Sequence, residues 1–324
     1  MSHHTLDRRT FLKAPGVAAA SATGVLHGID LRAQDSVPNS SGTDRPKLKA
    51  PANACDCHHH IYDSRFPFSQ GGRLVPDARV ADYRLFQRRI GTMRHVIVTP
   101  AAYPAPLADN NVTLDAIAQF GSNARGVAII SPDITDTELK TLADGGVCGI
   151  RFSVAVGPLA VGNPSSPGVD IIELLSKRVN TLGWHVQINM TADQIVASED
   201  LWNRVPAVLV FDHMGHMPQP MGINHPAFKI IHRLVDKGKT WVKLSVTYDS
   251  SKVGPPTYAD VNKVGQAHVQ AAPERMVWGS NWPHPNEVDK PNDAMLFDLL
   301  AEWAPLEATR HRILVDNPKA LYGF

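Results

Sequence analysis

Eight short apolar runs alternate with longer stretches of helical pattern over residues 50–324, and this alternation constrains the fold more than any other feature of the sequence. The runs lie at 54–60, 95–99, 126–130, 149–153, 185–190, 208–213, 241–245 and 276–280. Helical patterns between them include 113–121, 137–144, 169–182, 228–237, 258–271 and 293–304. Repeated strand–helix units predict parallel strands, and eight of them can close into a barrel. We therefore predict an α/β protein with a (β/α)8 TIM-barrel fold.

A doubly wound open sheet is the other fold that such an alternation can produce. That fold normally has a glycine-rich phosphate turn after its first strand. Here the first run is followed by Ile61, Tyr62 and Asp63, which favours the barrel.

The N-terminus resembles a twin-arginine export signal. Arg8 and Arg9 precede Phe11-Leu12-Lys13 and a stretch of small residues that ends near Ala33. We expect residues 1–33 to be the signal, 34–49 a linker and 50–324 a single catalytic barrel in the periplasm. The alternative is a chance arginine pair before a disordered leader.

The charge balance excludes several classes of partner. There are 32 Lys and Arg residues against 31 Asp and Glu residues, so the chain lacks the basic footprint of a nucleic-acid-binding protein. No apolar run after residue 40 is long enough to span a bilayer. A small-molecule substrate fits better than nucleic acid or a membrane. The three cysteines are expected to be buried thiols rather than disulfides.

The first strand ends in a histidine run that is the strongest chemical signal in the sequence. Alternation along a strand predicts that Asp56, His58 and His60 share one face, with Cys57 and His59 on the other. The two imidazoles would then meet at the barrel mouth with a carboxylate beneath them, and His59 would pack outward. The alternative is a surface cluster of histidines.

Other strand ends supply candidate partners, because catalytic groups of such barrels gather at the carboxyl ends of the strands. Arg151 can grip a carboxylate, and His213 can polarise a carbonyl or carry a proton. Gln187 and Lys243 are further candidates on the fifth and seventh strands. The alternatives are a surface ion pair for Arg151, a core histidine for His213 and an interior ion pair for Lys243.

Several motifs in order resemble the amidohydrolase superfamily. They are His58-x-His60, Asp212-His213, the run Trp278-Gly279-Ser280-Asn281-Trp282-Pro283-His284, and the C-terminal run Asn317 to Phe324. Within that superfamily they resemble the lactone-processing branch that includes 2-pyrone-4,6-dicarboxylate hydrolase and galactarolactone isomerase. The loop 65–73 is also similar to that branch.

The resemblance implies that His58, His60 and His213 frame a lactone carbonyl and that Arg151 holds a substrate carboxylate. In the family an aspartate that closes the eighth strand activates water, but this chain has Asn281 there. An amide cannot take a proton from water and is a poor ligand for a transition metal. We therefore expect no metal cofactor; a divalent ion at His58 and His60 is the alternative.

The group that replaces the missing base is open at this point. Candidates are His213, which we favour for proton transfer, His60, His284 and Asp249. Arg151, Gln187, Lys243, Tyr248 and His284 are the expected substrate contacts. Two basic positions of the dicarboxylate hydrolase are absent, one after Arg151 and one at Tyr248-Asp249, which favours a monoanionic or neutral lactone.

The predicted function is metal-independent hydrolysis of a small lactone derived from a sugar acid or an aromatic compound. His58 and His60 would polarise the carbonyl, Arg151 would orient the substrate, and Asn281 would take the place of the catalytic aspartate. One alternative is lactone isomerisation or metal-dependent hydrolysis or decarboxylation on the same barrel. The other is a barrel that binds a small acid without turning it over.

Overall fold

A computed structural model of the chain describes residues 36–66, 75–100, 110–153 and 170–324. It contains eight parallel strands that pair in chain order. The strands are β1 Cys55–His59, β2 Arg94–Val98, β3 Ala124–Ala128, β4 Val147–Ser153, β5 His185–Asn189, β6 Leu209–Phe211, β7 Thr240–Leu244 and β8 Met276–Trp278. The predicted (β/α)8 barrel is confirmed, and each predicted strand boundary lies within about two residues of the observed one.

Helices follow the strands and cover the outside of the sheet. They are α1 Val80–Ile90, α2 Asn111–Phe120, α3 Asp136–Asp144, α4 Asp170–Asn180, α5 Ala192–Ala197, α6 Glu199–Arg204, α7 Pro226–Asp236, α8 Thr247–Ser250, α9 Ala259–Ala271, α10 Asp293–Trp303, α11 Glu307–His311 and α12 Asn317–Tyr322. Local sequence sets their ends. Thr135 and Glu138 form a reciprocal cap at the start of α3, and Gly91 ends α1 at a φ of 94°.

The barrel closes between β8 and β1 through the segment that follows β8. The Asn281 backbone N–H donates to His58 O at 2.7 Å, and the His60 N–H donates to Trp282 O at 2.8 Å. Ser280 donates to the Asp56 carboxylate through its backbone nitrogen at 2.9 Å and its hydroxyl at 2.6 Å. These bonds form the seam, and they place the ends of β1 and β8 side by side.

A small apolar cluster, separate from the main core, fills the lower barrel interior. Cys55 and Cys57 pack there with strand valines and with Tyr322 from the C-terminal helix. All three cysteines are free; Cys55 and Cys57 are buried and Cys148 is half-buried. The expectation of thiols rather than disulfides is confirmed.

Strand β1 does not follow the strict alternation that we predicted. Asp56 accepts a hydrogen bond from the Tyr83 hydroxyl of α1 at 2.9 Å, and the His59 ring stacks on the Tyr83 ring with centroids 3.6 Å apart. The register of β1 against β2 shifts between Asp56 and His59. An irregularity of this kind moves the side-chain alternation by one residue. The prediction that Asp56 lies beneath His58 and His60 is therefore wrong, whereas the outward position of His59 is confirmed.

The segment predicted as a linker packs against the barrel over its described part, from residue 36. Val37 is buried, Trp282 donates to Pro38 O at 2.8 Å, and Arg89 donates to Asp44 O at 2.8 Å. The predicted export signal, residues 1–33, lies outside the described residues, as does most of the 65–73 loop. Among the described residues, no helix combines the length and apolar character that crossing a membrane requires.

Candidate active site

Three histidines meet at the carboxyl ends of β1 and β6. The ring centroids of His58 and His213 are 4.8 Å apart, and those of His58 and His60 are 5.0 Å apart. The Nε2 atoms of His58 and His60 are separated by 3.3 Å. All three side chains are buried. The predicted meeting of imidazoles from the first and sixth strands is confirmed.

Asp212, the residue after β6, is the centre of a buried charged cluster below these rings. Its Oδ2 accepts hydrogen bonds from Arg151 Nε and Gln187 Nε2, each at 2.9 Å. Its Oδ1 lies 3.4 Å from His58 Nδ1 and 3.7 Å from Lys243 Nζ. Lys243 also donates to Gln187 Oε1 at 2.6 Å. Side chains from β1, β4, β5 and β7 thus surround the single carboxylate of Asp212.

Hydrogen-bond partners assign the protons of the two strand-one imidazoles. His60 Nδ1 lies 2.8 Å from the carbonyl oxygen of Val98, which can only accept, so Nδ1 carries the proton and Nε2 is bare. The nearby Nε2 of His58 must then be the donor to His60. This leaves His58 Nδ1 as an acceptor, and Lys243 Nζ donates to it at 3.3 Å. Lys243 therefore selects the tautomer of His58 that carries its proton on Nε2.

Burial and neighbouring charges together lower the pKa values of all four groups in this cluster. Burial, with the positive charge of Lys243, holds the pKa of His58 well below its usual value, and burial lowers the pKa of His60 to about 3. Burial alone would raise the pKa of Asp212, but the positive charges of Arg151 and Lys243 help to bring it well below its usual value. Burial lowers the pKa of Lys243 to about 8. At neutral pH the imidazoles are uncharged, the carboxylate is ionised and the lysine is protonated.

The turns after β6, β7 and β8 each contain a non-glycine residue in the left-handed region. The φ angles are 53° for His213, 57° for Val246, 63° for Asn281 and 54° for His284. Such angles are disfavoured for L-residues, above all for a β-branched valine, and cluster at functional sites. The strained turns aim their side chains at the barrel rim rather than continuing the strands.

Tyr248, Asn281, His284 and Asp293 form a second hydrogen-bonded group beside the seam. Asn281 Nδ2 donates to the Tyr248 hydroxyl oxygen at 2.8 Å, and that hydroxyl lies 2.9 Å from His284 Nδ1. His284 Nε2 lies 3.1 Å from both carboxylate oxygens of Asp293. The structure thus joins three sequence-predicted site residues to a carboxylate that sequence reasoning missed.

The predicted substrate contacts differ in their access to the rim. Gln187, Lys243 and His284 are fully buried, and their polar atoms bond to other side chains. Arg151 is 7% exposed, and no described residue accepts from its terminal nitrogens. Tyr248 is partly exposed. Arg151 and Tyr248 are therefore the two predicted contacts placed to reach a ligand.

Asp249, one of the candidate bases, pairs with His216, whose ring centroid lies 5.1 Å from that of His213. Its carboxylate meets His216 Nδ1 at 3.2 Å, and its side chain is 52% exposed. Ser245 Oγ, which we did not predict, lies 2.8 Å from His213 Nδ1 and fixes that ring. Asp212 was visible in the sequence only as the acid preceding His213, with nothing to indicate its central position.

A metal ion would find an unfavourable environment here. His58, Asp212 and His213 bring three possible ligand atoms within 4.8 Å of one another. However, Lys243 Nζ lies within 3.7 Å of both His58 Nδ1 and Asp212 Oδ1. A divalent cation bound at the usual distance of about 2 Å from these atoms would stand next to an ammonium group. Arg151 already neutralises the same carboxylate, so the donor set fits a cation poorly.

Comparison with known proteins gives consistent matches over the barrel. A family model described as amidohydrolase matches residues 55–324. A 2-pyrone-4,6-dicarboxylate hydrolase from Comamonas testosteroni is 33% identical over 290 residues, which is 86% of this chain and 92% of the relative. A D-galactarolactone isomerase from Agrobacterium fabrum is 31% identical and covers 87% of this chain and 94% of its own.

A solved structure agrees with these sequence matches. A crystal structure of an Agrobacterium tumefaciens protein in its apo form is 30% identical, with a TM-score of 0.77. The match covers 86% of this chain and 98% of that chain. The similarity therefore extends over the whole barrel rather than over isolated motifs.

Proposed function

The chain belongs to the amidohydrolase family, and we propose that it is a hydrolase that opens the ring of a small lactone without a metal ion. One observation carries the proposal. A neutral imidazole, His58, has its Nδ1 held by a buried ammonium, directs its Nε2–H at the bare nitrogen of His60 and packs against His213. Such a donor can bond to a carbonyl oxygen and stabilise the negative charge that develops there when water attacks.

Polarisation of the carbonyl falls to His58. Among the residues that the structure describes, its Nε2–H has only the bare nitrogen of His60 as a partner, so it can turn to a stronger acceptor on a substrate. Because burial keeps the pKa of His58 low, the ring donates as a neutral imidazole and does not lose its proton to the developing oxyanion. The Lys243 ammonium, which donates to Nδ1, lowers the pKa of His58 further. The His213 ring also packs against His58, so that the three histidines together would surround the substrate carbonyl.

Arg151 is proposed to orient the substrate. Its Nε donates to Asp212, which fixes the plane of the guanidinium. Since no residue in the described part of the chain accepts from the terminal N–H groups, they can bind a carboxylate or a lactone oxygen. A single guanidinium is suited to one carboxylate. This supports a monoanionic or neutral lactone rather than a dicarboxylate.

Metal-independence is part of the same proposal, and the donor chemistry supports it. Lys243 takes the place next to His58 and Asp212 that a cation would need. The aspartate expected after β8 is replaced by Asn281, which donates its amide to Tyr248 instead of offering a ligand.

A panel of lactones tests the function. We expect the purified chain to release acid from a neutral or monoanionic lactone, as followed by a pH indicator, with equal rates with and without chelator. Metal analysis should find less than one equivalent of zinc or manganese. Loss of activity with chelator would establish a metal-dependent enzyme. Since one relative is named as an isomerase, products are also separated by chromatography; a rearranged lactone without acid release would establish isomerisation.

Export is a separate proposal, supported by the Arg8-Arg9 motif and the small-residue stretch behind it. Cell fractionation of the wild type and of an Arg8→Lys, Arg9→Lys variant tests it. We expect the wild type in the periplasm and the variant in the cytoplasm. A wild type that stays in the cytoplasm would reject it.

A further inference from the structure

The three-histidine cluster does not contain an evident base that could activate water. Burial disfavours an imidazolium at His213, as do the positive charges of Arg151 and Lys243, and the carboxylate of Asp212 is already shared between these two cations. A base needs a place for the proton where the resulting positive charge is compensated. The group Asn281–Tyr248–His284–Asp293 has such a place.

The direction of each hydrogen bond in this group follows from its ends. Asp293 is a carboxylate, so His284 donates to it through Nε2–H. His284 Nδ1 is then bare and accepts the hydroxyl proton of Tyr248. The Tyr248 oxygen accepts from the amide of Asn281. The tyrosine proton therefore points inward at a histidine that has its own carboxylate.

Exposure decreases from Tyr248 inward along these bonds, and Asn281 is 9% exposed. Tyr248 is partly exposed, whereas His284 and Asp293 have 0% and 1% of their surface exposed. Tyr248 lies in α8 directly after β7, and Asn281 bonds through its backbone to His58 O. The outer end of the chain therefore lies at the rim, on the strand ends next to His58. Its inner end is sealed from water.

We propose that Tyr248 takes the proton from the attacking water and passes its own hydroxyl proton to His284, whose positive charge Asp293 compensates. This inference rests on the proposed lactone hydrolysis. The step balances: water loses a proton to the Tyr248 oxygen, the Tyr248 O–H bond breaks as an N–H bond forms on His284 Nδ1, and the hydroxide adds to the carbonyl carbon. Collapse breaks the ring C–O bond, and the proton returns through Tyr248 to the leaving oxygen.

The charges around Tyr248 require that the two proton transfers occur together. Burial and the carboxylates of Asp293, Glu287 and Asp249 hold the pKa of Tyr248 well above its usual value. A free phenolate is therefore never populated at neutral pH. The hydroxyl can therefore accept a proton only while it gives one to His284.

The same geometry explains why position 281 is an asparagine. A carboxylate there would accept the Tyr248 proton and turn the hydroxyl away from His284. The Asn281 amide donates instead, and so keeps the proton on the inward side. In this arrangement Asn281 and His284 are positioning residues, and Tyr248 is the catalytic residue.

A double-mutant cycle tests the relay. We expect Tyr248→Phe and His284→Gln each to lower kcat by about 10²–10⁴, with KM changed less than about threefold, because each removes the same general base. The double variant should be no slower than the slower single variant, since a relay acts as one unit. If His284→Gln does not fold, Asp293→Asn takes its place. Tyr322→Phe is the matched control, because the buried Tyr322 hydroxyl has no partner among the described residues.

The outcomes separate the two proposals. A wild-type chain that opens no lactone overturns the proposed function. A wild-type chain that opens lactones while Tyr248→Phe keeps more than about a third of its kcat overturns the relay alone, since a lost general base costs far more. Losses that multiply in the double variant also overturn it, because they would show that Tyr248 and His284 act independently.

Discussion

Asp56 on β1 and Asp212 after β6 are equally buried, with 0% and 1% of their surface exposed, yet their pKa values shift in opposite directions. Burial raises the pKa of Asp56 to about 6, although four hydrogen bonds oppose it. The pKa of Asp212 is held well below its usual value, because the positive charges of Arg151 and Lys243 oppose the effect of burial. The partners of Asp56 are hydroxyl and backbone N–H groups, whereas those of Asp212 include two cations. The charge of the partners, not depth, separates a structural clasp from the electrostatic centre of a site.

Replacing the carboxylate of Asp212 is the strongest way to break this comparison. We expect Asp212→Asn to lower the free energy of unfolding by about 3–5 kcal/mol, because Arg151 and Lys243 would lose their shared buried counter-charge. The rate of lactone ring opening should also fall, since His58 would lose the neighbouring Asp212 charge. Urea unfolding and the lactone assay measure both. If Asp212→Asn cost no more stability than Asp56→Asn, the two carboxylates would be equivalent and the comparison would fail.

Lys243 tests the link between that charge and the chemistry. We expect Lys243→Met to reduce kcat on the order of 100-fold, because the donor that fixes the tautomer of His58 is lost. The wild type should lose activity as the pH rises through about 8, where Lys243 gives up its proton. Lys243→Met should lack that alkaline limb. The exposed Lys263 on α9 provides the control, Lys263→Met. An unchanged pH–rate profile in Lys243→Met would remove Lys243 from the mechanism.

The smallest effect is expected at Asp56. At pH 4 its carboxyl is mostly protonated, so Asp56→Asn should change the free energy of unfolding by less than about 1 kcal/mol. Because the folded-state pKa is raised to about 6, the wild type binds more protons when folded and loses stability as the pH rises from about 4 to about 6. The variant should lack this loss. Parallel pH–stability curves for both proteins would mean that the four hydrogen-bond donors fully offset burial, so that the pKa of Asp56 is the same in the folded and unfolded states.

The sequence predicts the scaffold better than the charged interior. All eight strands were recognisable because parallel strands are buried on both faces and appear as continuous apolar runs. The faces of β1 were not, because an irregularity between Asp56 and His59 moves the alternation by one residue. The Lys243–Gln187 contact joins residues on different strands that are 56 positions apart. Such pairing depends on barrel geometry that one sequence cannot reveal.

The relay was only half visible for a similar reason. His284 stood out in a run that resembles a family motif, and Tyr248 stood out because a basic residue was missing there. Asp293, at the start of α10, showed no sign of chemistry in the sequence, because an acid in the first turn of a helix is explained by the helix dipole alone. Only the fold brings its carboxylate to His284.

The seam has a consequence for how this barrel can tolerate motion. Two backbone hydrogen bonds join the end of β8 to the end of β1, from Asn281 to His58 and from His60 to Trp282. The residues that close the barrel therefore include the reactive histidines. Opening of the join between β8 and β1 would move His58 away from His213 without requiring a helix to unfold. Heat or denaturant should therefore extinguish turnover while most of the cylinder is still intact.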